Sequence, residues 1–298
     1  MRVLLTGGNG FIGGFILRRL LARGYEVRVM DLHERGDIVR SVVGEAIEKI
    51  EWHVGDISSR EHVERAVAGV STVVHLAGAL GPVCERDPVL GATVNLIGTL
   101  HLFALAKERP LNIAYATTAG IFGPYSGEAP APTTHYGAFK YASELSARVF
   151  YADHDISSVG LRPLTVYGPG RLFGSSAGPT LACRAAVTGE DYVIPFTGQT
   201  DFIYVDDVAA AFVAVVDDFP TGAHALNMTG VVADTQAFIG AIKAVKPGAK
   251  ISASGSMIPI AAIRPDNGLE QLFPNLQRTS IDEGVRRTIA YYETGKVT

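Results

Sequence analysis

The sequence predicts an α/β fold built on a parallel sheet with helices on both faces. Runs typical of buried strands alternate with helix-like segments through roughly the first two hundred residues. The first strand, residues 3–5, is followed by a glycine-rich turn and then by apolar residues at helical spacing over 15–21. With 298 residues, of which 47% are hydrophobic, the chain can bury a large core. We therefore expect one large domain or two modest ones.

The composition disfavours several classes of protein. The formal net charge is −4, and no basic run is present that could follow a nucleic-acid backbone. No apolar stretch reaches the roughly 18 residues of a membrane span, and the N-terminus enters a strand without the pattern of a secretory signal. Cys84 and Cys183 fit neither a disulfide framework nor a metal site. We expect a cytoplasmic protein with reduced thiols and no bound metal.

The remaining elements follow from the same patterns. Strands are predicted at 27–30, 50–54, 70–76 and 112–116, helices at 61–67, 89–107 and 136–152, and loops at 80–88 and 123–135. In an open sheet of this kind, ligands bind outside the carboxyl ends of the strands. Candidate site residues are therefore those that follow the strands.

Three glycines divide the turn after the first strand: Gly7, Gly10 and Gly13. Gly7 can adopt backbone angles closed to other residues, so the turn can be tight. The missing Cβ of Gly10 lets a diphosphate approach the main chain, and Gly13 lets helix and strand pack closely. The helix N-terminus then directs free N–H groups and a partial positive charge at the phosphates. The turn predicts a dinucleotide site, and Phe11 and Ile12 within it are included among its residues.

Asp31 ends the second predicted strand, 18 residues after Gly13. That spacing is close to the one expected for a carboxylate that holds the adenosine ribose hydroxyls. A carboxylate there repels a 2′-phosphate, so NAD is favoured over NADP, although Arg28 and Arg35 are near enough to moderate the preference. The alternative interpretation is a solvated aspartate that only closes the strand.

Small residues follow the strand at 70–76, where Ala77 and Gly78 would allow close approach of a cofactor. His75 at the same strand end has no obvious proton to move, and we expect it to be packed. Asn95, inside the helix at 89–107, competes for backbone hydrogen bonds. It could satisfy a local carbonyl or anchor a water, and the sequence does not decide between these roles.

Tyr136 and Lys140 open a predicted helix and lie four residues apart, hence on one face. A nearby ammonium and a cationic nicotinamide ring each stabilise a phenolate, so together they would lower the tyrosine pKa from its usual value of about 10. Pairs with this spacing are also common on surfaces. The pair gains weight here because Thr117 and Thr118 end the preceding strand, where a hydroxyl either terminates the strand or bonds a substrate oxygen.

Together these residues resemble the extended short-chain dehydrogenase/reductase family, the NAD-dependent epimerase/dehydratase group. The resemblance covers most of the chain. Its motifs here are the Gly7-Gly10-Gly13 turn, Asp31, Asp56-Ile57, His75-Leu76-Ala77-Gly78, Asn95-Leu96-Ile97-Gly98-Thr99, Thr117-Thr118, Tyr136 with Lys140, Leu161-Arg162-Pro163, Val166-Tyr167-Gly168-Pro169-Gly170 and Asp201-Phe202-Ile203-Tyr204-Val205-Asp206-Asp207-Val208.

The resemblance implies a Rossmann domain, a doubly wound parallel sheet, with a smaller interleaved C-terminal substrate domain. The NAD-binding domain would comprise residues 1–168 and 201–228, and the substrate-binding domain residues 169–200 and 229–298. It also implies a homodimer in which the helices at 89–107 and 136–152 pack into a four-helix bundle.

The resemblance further implies roles for individual residues. Tyr136 would be the catalytic acid/base, Lys140 would bind the nicotinamide ribose and lower the tyrosine pKa, and Thr118 would bond the reacting oxygen. The implied cofactor-binding residues are Gly7, Gly10, Phe11, Ile12, Gly13, Asp31, Asp56 and Ile57 beside the adenine, Leu76, Ala77, Gly78, Tyr136, Lys140, and Pro163 against the nicotinamide amide. The stretch containing Asp206 and Asp207 is mainly structural in the family.

The chain departs from the family on the substrate side. Sugar-nucleotide enzymes usually carry an arginine between Gln-Thr and Asp-Phe, whereas here Gln199-Thr200 runs directly into Asp201, so a phosphate-binding cation is missing. Dehydratases carry an Asp-Glu pair after the catalytic threonine, where this chain has Ala119-Gly120. Without an acid to eliminate water, dehydration is disfavoured.

These features favour NAD-dependent oxidoreduction of a secondary alcohol on a sugar-like substrate. A sugar-nucleotide epimerase with a transient keto intermediate is slightly preferred over an NAD-dependent dehydrogenase of a smaller sugar, sugar acid or hydroxy compound. A non-catalytic NAD-sensing protein is the alternative of another class. The cations expected to face an anionic substrate are Arg86, Arg171, Arg184 and Arg264, although any one of them is more often a solvated surface residue.

Overall fold

A computed structural model of the chain describes residues 1–124, 129–260 and 267–297. The strands are β1 Arg2–Thr6, β2 Glu26–Asp31, β3 Glu51–Val54, β4 Thr72–His75, β5 Asn112–Ala116, β6 Ser158–Arg162, β7 Thr165–Tyr167, β8 Tyr192–Ile194, β9 Gln199–Tyr204, β10 Ala223–Asn227, β11 Val231–Asp234 and β12 Ile251–Ala253. The helices are α1 Phe11–Ala22, α2 Asp37–Val43, α3 Arg60–Ala66, α4 Gly81–Arg86, α5 Pro88–Ala92, α6 Gly98–Ala106, α7 His135–His154, α8 Gly178–Thr188, α9 Val205–Asp217, α10 Thr235–Val245, α11 Gly268–Leu272 and α12 Ile281–Thr294.

Seven parallel strands form the central sheet, in the order β10-β6-β5-β4-β1-β2-β3. Its central strands are apolar on both faces because helices cover both, and Val3, Leu4 and Leu5 of β1 are fully buried. The order along the sheet reverses between β1 and β4, which leaves a crevice outside their carboxyl ends. The predicted fold class is confirmed.

Two smaller sheets lie beside the central one. One has the order β11-β9-β7 and the other pairs β12 with β8. Aromatic rings of Tyr167, Phe202 and Phe238 pack against one another here, with centroids 4.8 to 6.4 Å apart. This packing ties the later segments of the chain to the strands that leave the central sheet. The division into two domains at the predicted boundaries stays a prediction.

Residues 80–88 are not simply a loop, as the sequence suggested, because they contain α4. Pro82 lies at the start of this helix, where its missing N–H would have no intrahelical partner anyway. Proline was therefore misread as a sign of irregular structure. In the described part of the predicted loop at 123–135, by contrast, the chain is irregular until α7 begins.

The helix predicted at 89–107 runs from Pro88 to Ala106 and widens into a π-helical turn, Thr93–Ile97. By length and composition alone this helix could cross a membrane, so the expectation that no stretch is long enough was wrong. Part of it is buried within the protein, where it packs against α7. A core helix of a soluble protein passes the same test of length and composition.

Asp206 and Asp207 anchor other helices, in keeping with the structural role that the resemblance implies. Asp206 at the start of α9 pairs with Arg18 and Arg19 of α1 at 3.2 and 2.8 Å. Asp207 accepts hydrogen bonds from the backbone N–H and the hydroxyl of Thr279, each at 2.7 Å. Both carboxylates are thereby occupied away from the strand ends that define the crevice.

Candidate active site

The turn between β1 and α1 has the geometry that its glycines predict. Gly7 has a φ of +71°, and a Cβ there would lie 2.6 Å from the backbone nitrogen of Ala77. A Cβ on Gly13 would lie 2.7 Å from the carbonyl oxygens of Gly7 and Gly8. Gly10 is more open, since its Cβ position meets only the Gly7 carbonyl at 3.2 Å. The turn is therefore tightly packed at Gly7 and Gly13 and more open at Gly10, where a diphosphate would meet the first N–H groups of α1.

Asp31 lies at the end of β2, beside this turn. Its carboxylate accepts hydrogen bonds from the backbone N–H groups of Asn9 at 2.9 Å and Leu32 at 2.8 Å. The Asn9 side chain in turn accepts a bond from the N–H of Gly36 at 2.8 Å. Asp31 thus connects the glycine turn to the end of β2 and is half-buried there. These bonds give Asp31 a role in the turn itself, and its contact with a ribose stays a prediction.

The other predicted cofactor residues surround the same crevice. The N–H of Leu76 bonds to the Thr6 carbonyl at 3.0 Å, and the N–H of Ala77 bonds to the Thr6 hydroxyl at 3.3 Å, so the β1 and β4 ends are joined. Asp56 caps its own turn by accepting the N–H of Ser58 at 2.8 Å. Ile57 is buried against Gly98, and Pro163 is buried with its carbonyl bonded to the N–H of Ala119 at 3.1 Å.

His75 is packed, as expected. Its ring is buried, with Nδ1 2.7 Å from the Thr6 hydroxyl and Nε2 3.0 Å from the Thr99 hydroxyl. Burial, together with a smaller contribution from the positive charge of Lys140, lowers the pKa of His75 to about 3. The neutral imidazole therefore joins β1, β4 and α6.

Tyr136 and Lys140 lie together near the N-terminus of α7, which is capped by the Thr134 hydroxyl accepting the N–H of Gly137 at 3.1 Å. The Lys140 nitrogen is 5.9 Å from the centroid of the Tyr136 ring. It is also 3.6 Å from the position that a Cβ would take on Gly78. The helix thereby brings its phenol and ammonium to the small residues after β4.

The two hydroxyls after β5 have different surroundings. Thr117 is buried and donates a 2.6 Å hydrogen bond to the Glu144 carboxylate. Thr118 is only half-buried, and its hydroxyl accepts the N–H of Gly120 at 3.1 Å, which starts a short 3-10 helix. The Thr118 hydroxyl keeps its proton free to donate, since it acts as an acceptor in that bond. Of the pair, Thr118 is the one that remains available to a ligand.

The pKa of Tyr136 moves in the direction opposite to the expected one. Burial raises the pKa of Tyr136 to about 12, Cys84 adds to the rise, and the Arg171 guanidinium opposes it. Burial also lowers the pKa of Lys140 to about 8, against the opposing effects of Cys84 and Glu144. The protein groups alone therefore disfavour the phenolate, and the cation that counteracts this is Arg171 rather than Lys140.

Sequence reasoning missed two side-chain networks behind this site. In the first, Glu144 accepts two hydrogen bonds from the Arg162 guanidinium, at 2.9 and 2.6 Å, so the two side chains form a buried, bidentate ion pair. Glu144 also accepts the hydrogen bond from Thr117. The Asn95 amide donates to the carbonyls of Ala79 and Gly91 at 3.0 and 3.1 Å. Asn95 therefore satisfies local carbonyls, which is the first of the two roles that the sequence left open. Glu144 and Arg162 are 18 residues apart, one on a helix and the other on a strand, so no sequence pattern predicts that they pair.

A further neighbour of Asn95 is Cys84, whose sulfur lies 3.3 Å from the Asn95 amide nitrogen. The Asn95 side-chain oxygen is buried without a hydrogen-bond partner and faces the Cβ position of Gly78 at 2.7 Å. Lys140 approaches the same point. The second role left open for Asn95, as the anchor of a water, stays a prediction.

The predicted substrate cations have different fates. Arg86 and Arg184 are exposed, and Arg264 lies outside the described residues. Of the three that are described, only Arg171 is half-buried. Its guanidinium carbon is 5.8 Å from the centroid of the Phe11 ring, at the start of α1. Among the described residues, no three His, Cys, Asp or Glu side chains lie close enough together to hold a metal ion.

A sequence model described as the NAD dependent epimerase/dehydratase family matches residues 3–228. The chain belongs to this family. It is an NAD-dependent enzyme of the extended short-chain dehydrogenase/reductase type, and the resemblance seen in its motifs is confirmed. The tight, open-sided glycine turn and the Asp31 carboxylate fit the cofactor, so NAD as cofactor is confirmed as well.

Individual relatives carry more than one activity. A UDP-glucose 4-epimerase from Mycolicibacterium smegmatis is 30% identical over 233 residues, which cover 72% of each chain. A 2-alkyl-3-oxoalkanoate reductase from Stenotrophomonas maltophilia is 28% identical over 239 residues, covering 75% of this chain and 67% of the relative. The crystal structure of a Thermus thermophilus UDP-glucose 4-epimerase with NAD superposes with a TM-score of 0.82, at 28% identity and 99% coverage of both chains.

Proposed function

We propose that this protein oxidises a secondary alcohol of a sugar-like substrate with NAD, and that it is a sugar-nucleotide epimerase acting through a transient ketone. The observation that carries the proposal is the convergence of Tyr136, Lys140 and the Gly78 backbone on one crevice that the glycine turn also faces. The presence of UDP-glucose 4-epimerases among its relatives, at 28 to 30% identity, supports the epimerase.

Each side chain then has a role that its surroundings support. Tyr136 removes the proton from the substrate hydroxyl and later returns it, a positioned proton transfer worth roughly 10² to 10⁴ in rate. Thr118 donates a hydrogen bond from its free hydroxyl to the reacting oxygen and keeps its own proton. Lys140 binds the nicotinamide ribose. The cofactor supplies hydride acceptance and, when bound, a positive ring that would favour the phenolate.

The cofactor would occupy the crevice at the ends of β1, β2 and β4. Asp31 would bond the adenosine ribose with the acceptor capacity that its two backbone bonds leave. The residues proposed to line the rest of the site are Gly7, Gly10, Phe11, Ile12 and Gly13 at the diphosphate, Asp56 and Ile57 at the adenine, and Leu76, Ala77, Gly78 and Pro163 toward the nicotinamide.

A second candidate is a dehydrogenase of a smaller substrate that lacks a nucleotide. The observation in its favour lies at β9, where Thr200 and Asp201 are buried and no arginine stands between them. Thr200 bonds to Thr165 at 2.9 Å, and Asp201 accepts the N–H of Gly230 at 2.8 Å, so neither residue is turned toward a phosphate. The similarity to a 2-alkyl-3-oxoalkanoate reductase supports this alternative.

A homodimer through a four-helix bundle fits the apolar side chains that α5 to α7 leave exposed. Val89 is 76% exposed and Val149 is 57% exposed, and Leu90, Ile97 and Leu145 lie nearby on the same helices with more than 40% of their surface exposed. Apolar surface of this kind marks interfaces. A second copy of this chain would cover it.

The proposal is tested by incubating the purified protein with NAD and UDP-glucose and following both the C4 configuration of the sugar and the NADH absorbance. An epimerase changes the configuration with only catalytic amounts of NADH, whereas stoichiometric NADH contradicts a simple epimerase. Tyr136→Phe should lower turnover roughly 10² to 10⁴-fold, while Tyr141→Phe on the same helix should not. If the wild-type protein binds NAD but turns over no member of a broad panel of sugars and hydroxy acids, a non-catalytic NAD-sensing role is favoured.

A further inference from the structure

Arg171 is a cation held in place by neutral groups, with no counter-ion among the described residues. It follows the turn after β7, and its terminal nitrogens donate to the Val166 carbonyl and to the Ser176 hydroxyl, each at 2.8 Å. Its Nε is buried and has no hydrogen-bond partner. Within the described residues, no carboxylate lies at ion-pair distance from this guanidinium. Among the described residues, the side chain is thus held by hydrogen bonds to two neutral acceptors, while its buried Nε–H has no acceptor and its charge meets no carboxylate.

The position of this cation is also specific. The guanidinium lies over the Phe11 ring at the start of α1, and its charge acts on the Tyr136 phenol. It therefore adjoins the glycine turn at Phe11 and favours the phenolate form of Tyr136. Burial lowers the pKa of Arg171 to about 10, which reflects the missing hydration of the charge.

Arg162 provides a contrast within the same molecule. Arg162 is largely buried as well, but Glu144 meets it with two hydrogen bonds and balances its charge. A buried charge without a partner is costly, and proteins tolerate one chiefly where a ligand completes it. The two neutral acceptors of Arg171 orient its planar guanidinium but leave its charge for something else to balance.

We propose that Arg171 binds an oxyanion of the substrate, a carboxylate or phosphate group positioned close to the carbinol that Tyr136 deprotonates. This inference rests on the proposed function for the location of the reacting carbinol. It narrows the substrate class to anionic sugars or hydroxy acids, and it gives the chain a cation for its substrate even though β9 offers none. A sugar nucleotide would qualify only through an acidic sugar or a differently placed phosphate.

An oxyanion at Arg171 could also come from the diphosphate of NAD, because Phe11 belongs to the turn that faces it. The glycine turn and the first N–H groups of α1 already provide donors for that diphosphate. Arg171 comes instead from the segment after β7, where its guanidinium is held by the Val166 carbonyl and the Ser176 hydroxyl, so it is not part of that set of backbone donors. The two sources differ in a measurable way, since one alters NAD affinity and the other alters discrimination between acids and their neutral analogues.

The test measures binding to the NAD-loaded protein by titration calorimetry, with UDP-glucuronate against UDP-glucose and glucuronate against glucose as matched pairs. The wild-type protein should bind the acid of at least one pair more tightly. Arg171→Gln should remove roughly 10- to 100-fold of that preference, Arg171→Lys should keep part of it, and Arg65→Gln, which removes an exposed arginine, should keep all of it.

NAD affinity is measured on the same variants. It should be unchanged in Arg171→Gln, and a loss of NAD affinity with the acid preference intact would assign the oxyanion to the cofactor and overturn the proposal. A wild-type protein that prefers neither acid would also overturn it. The NAD-loaded Tyr136→Phe variant binds substrate without turnover and should retain the preference, so failure of the proposed catalytic function is distinguished from failure at Arg171. If Arg171→Gln unfolds, Arg171→Lys carries the comparison.

Discussion

The glycine turn and the first turns of α7 border the same crevice, but they are stabilised in different ways. In the glycine turn the backbone satisfies itself, since the N–H of Gly7 bonds to the Met30 carbonyl at 2.9 Å and the N–H of Gly10 to the Gly7 carbonyl at 3.1 Å. Around α7 the interior holds charges instead. Lys140 and Glu144 are each 3% exposed. The glycine turn therefore contributes a self-bonded backbone to the crevice, whereas the α7 side contributes buried charged side chains.

This difference separates binding from chemistry. A backbone turn can bind a dinucleotide through the free N–H groups that every helix N-terminus has. It needs suitably placed glycines but no charged side chain. A proton-transferring site needs groups whose pKa values are moved from their usual range, and burial is what moves them. The catalytic side should therefore be the less stable of the two, and substitutions there should affect unfolding most.

The largest effect is expected at the ion pair behind the site. Glu144→Gln should lower the free energy of unfolding by about 3 to 5 kcal/mol, because it leaves the Arg162 charge uncompensated in the interior. Chemical denaturation of the wild type and the variant measures this. The matched control is Glu108→Gln, which breaks the exposed pair with Arg60 and should cost no more than about 1 kcal/mol. Equal costs for the two pairs would refute the contrast.

Lys140→Met should do the reverse and stabilise the protein. The native pKa of Lys140, about 8, lies below its usual value of 10.5, so the fold disfavours the charged form. The penalty is on the order of 3 kcal/mol and is fully present below pH 8. It shrinks as the pH rises from about 8 to 10.5, because only the unfolded chain still holds the proton in that range. The stabilisation should accordingly be large at pH 7 and nearly absent near pH 10.5.

Urea denaturation at these two pH values measures that difference, with Lys107→Met as the control for an exposed lysine. NAD-dependent turnover should fall in Lys140→Met while stability rises. A variant that is less stable than the wild type at pH 7 would mean that the ammonium contributes more through its contacts than burial removes.

On the binding side, Gly7→Ala should cost about 2 kcal/mol of stability and weaken NAD binding at least tenfold. Two causes add here, a φ of +71° that alanine adopts poorly and a Cβ only 2.6 Å from the Ala77 backbone. Gly24→Ala separates them, because Gly24 has a φ of +78° with nothing within 4 Å of its Cβ position. It should cost about 1 kcal/mol and leave NAD binding unchanged. If both variants lose NAD alike, the close approach at Ala77 is irrelevant to binding.

The sequence was sufficient for the shape of the crevice because the signals there are local. Gly13 is required by contacts with Gly7 and Gly8 in the same turn, and Gly7 by its own positive φ as well as by the distant Ala77. The strand at 112–116 was predicted at its observed bounds, Asn112–Ala116. Parallel strands place their ends on one edge, so Asp31 and the residues after β4 were expected to meet the glycine turn. The fold and the NAD cofactor followed from such patterns.

The charges could not be predicted in the same way, because burial is set by segments far apart in the chain. Four arginines were equivalent as sequence, and only the packing of the segment after β7 against Phe11 singles out Arg171. The direction of the Tyr136 pKa shift was missed for the same reason, since the spacing of residues reveals a neighbouring lysine but not the loss of hydration on burial. The pairing of Glu144 with Arg162 likewise requires α7 to lie against β6.

The smallest expected effect concerns the choice between NAD and NADP. Asp31→Asn keeps an acceptor for one of the two backbone bonds from Asn9 and Leu32 but removes the negative charge, so stability should fall by no more than about 1 kcal/mol. The preference for NAD over NADP should shrink roughly tenfold, because a 2′-phosphate is no longer repelled. Fluorescence titration with both cofactors measures this, with Asp37→Asn as a control that removes an exposed charge nearby. If both variants change the ratio equally, the preference arises from the general field of this surface, and the Asp31 carboxylate has no specific contact with the ribose.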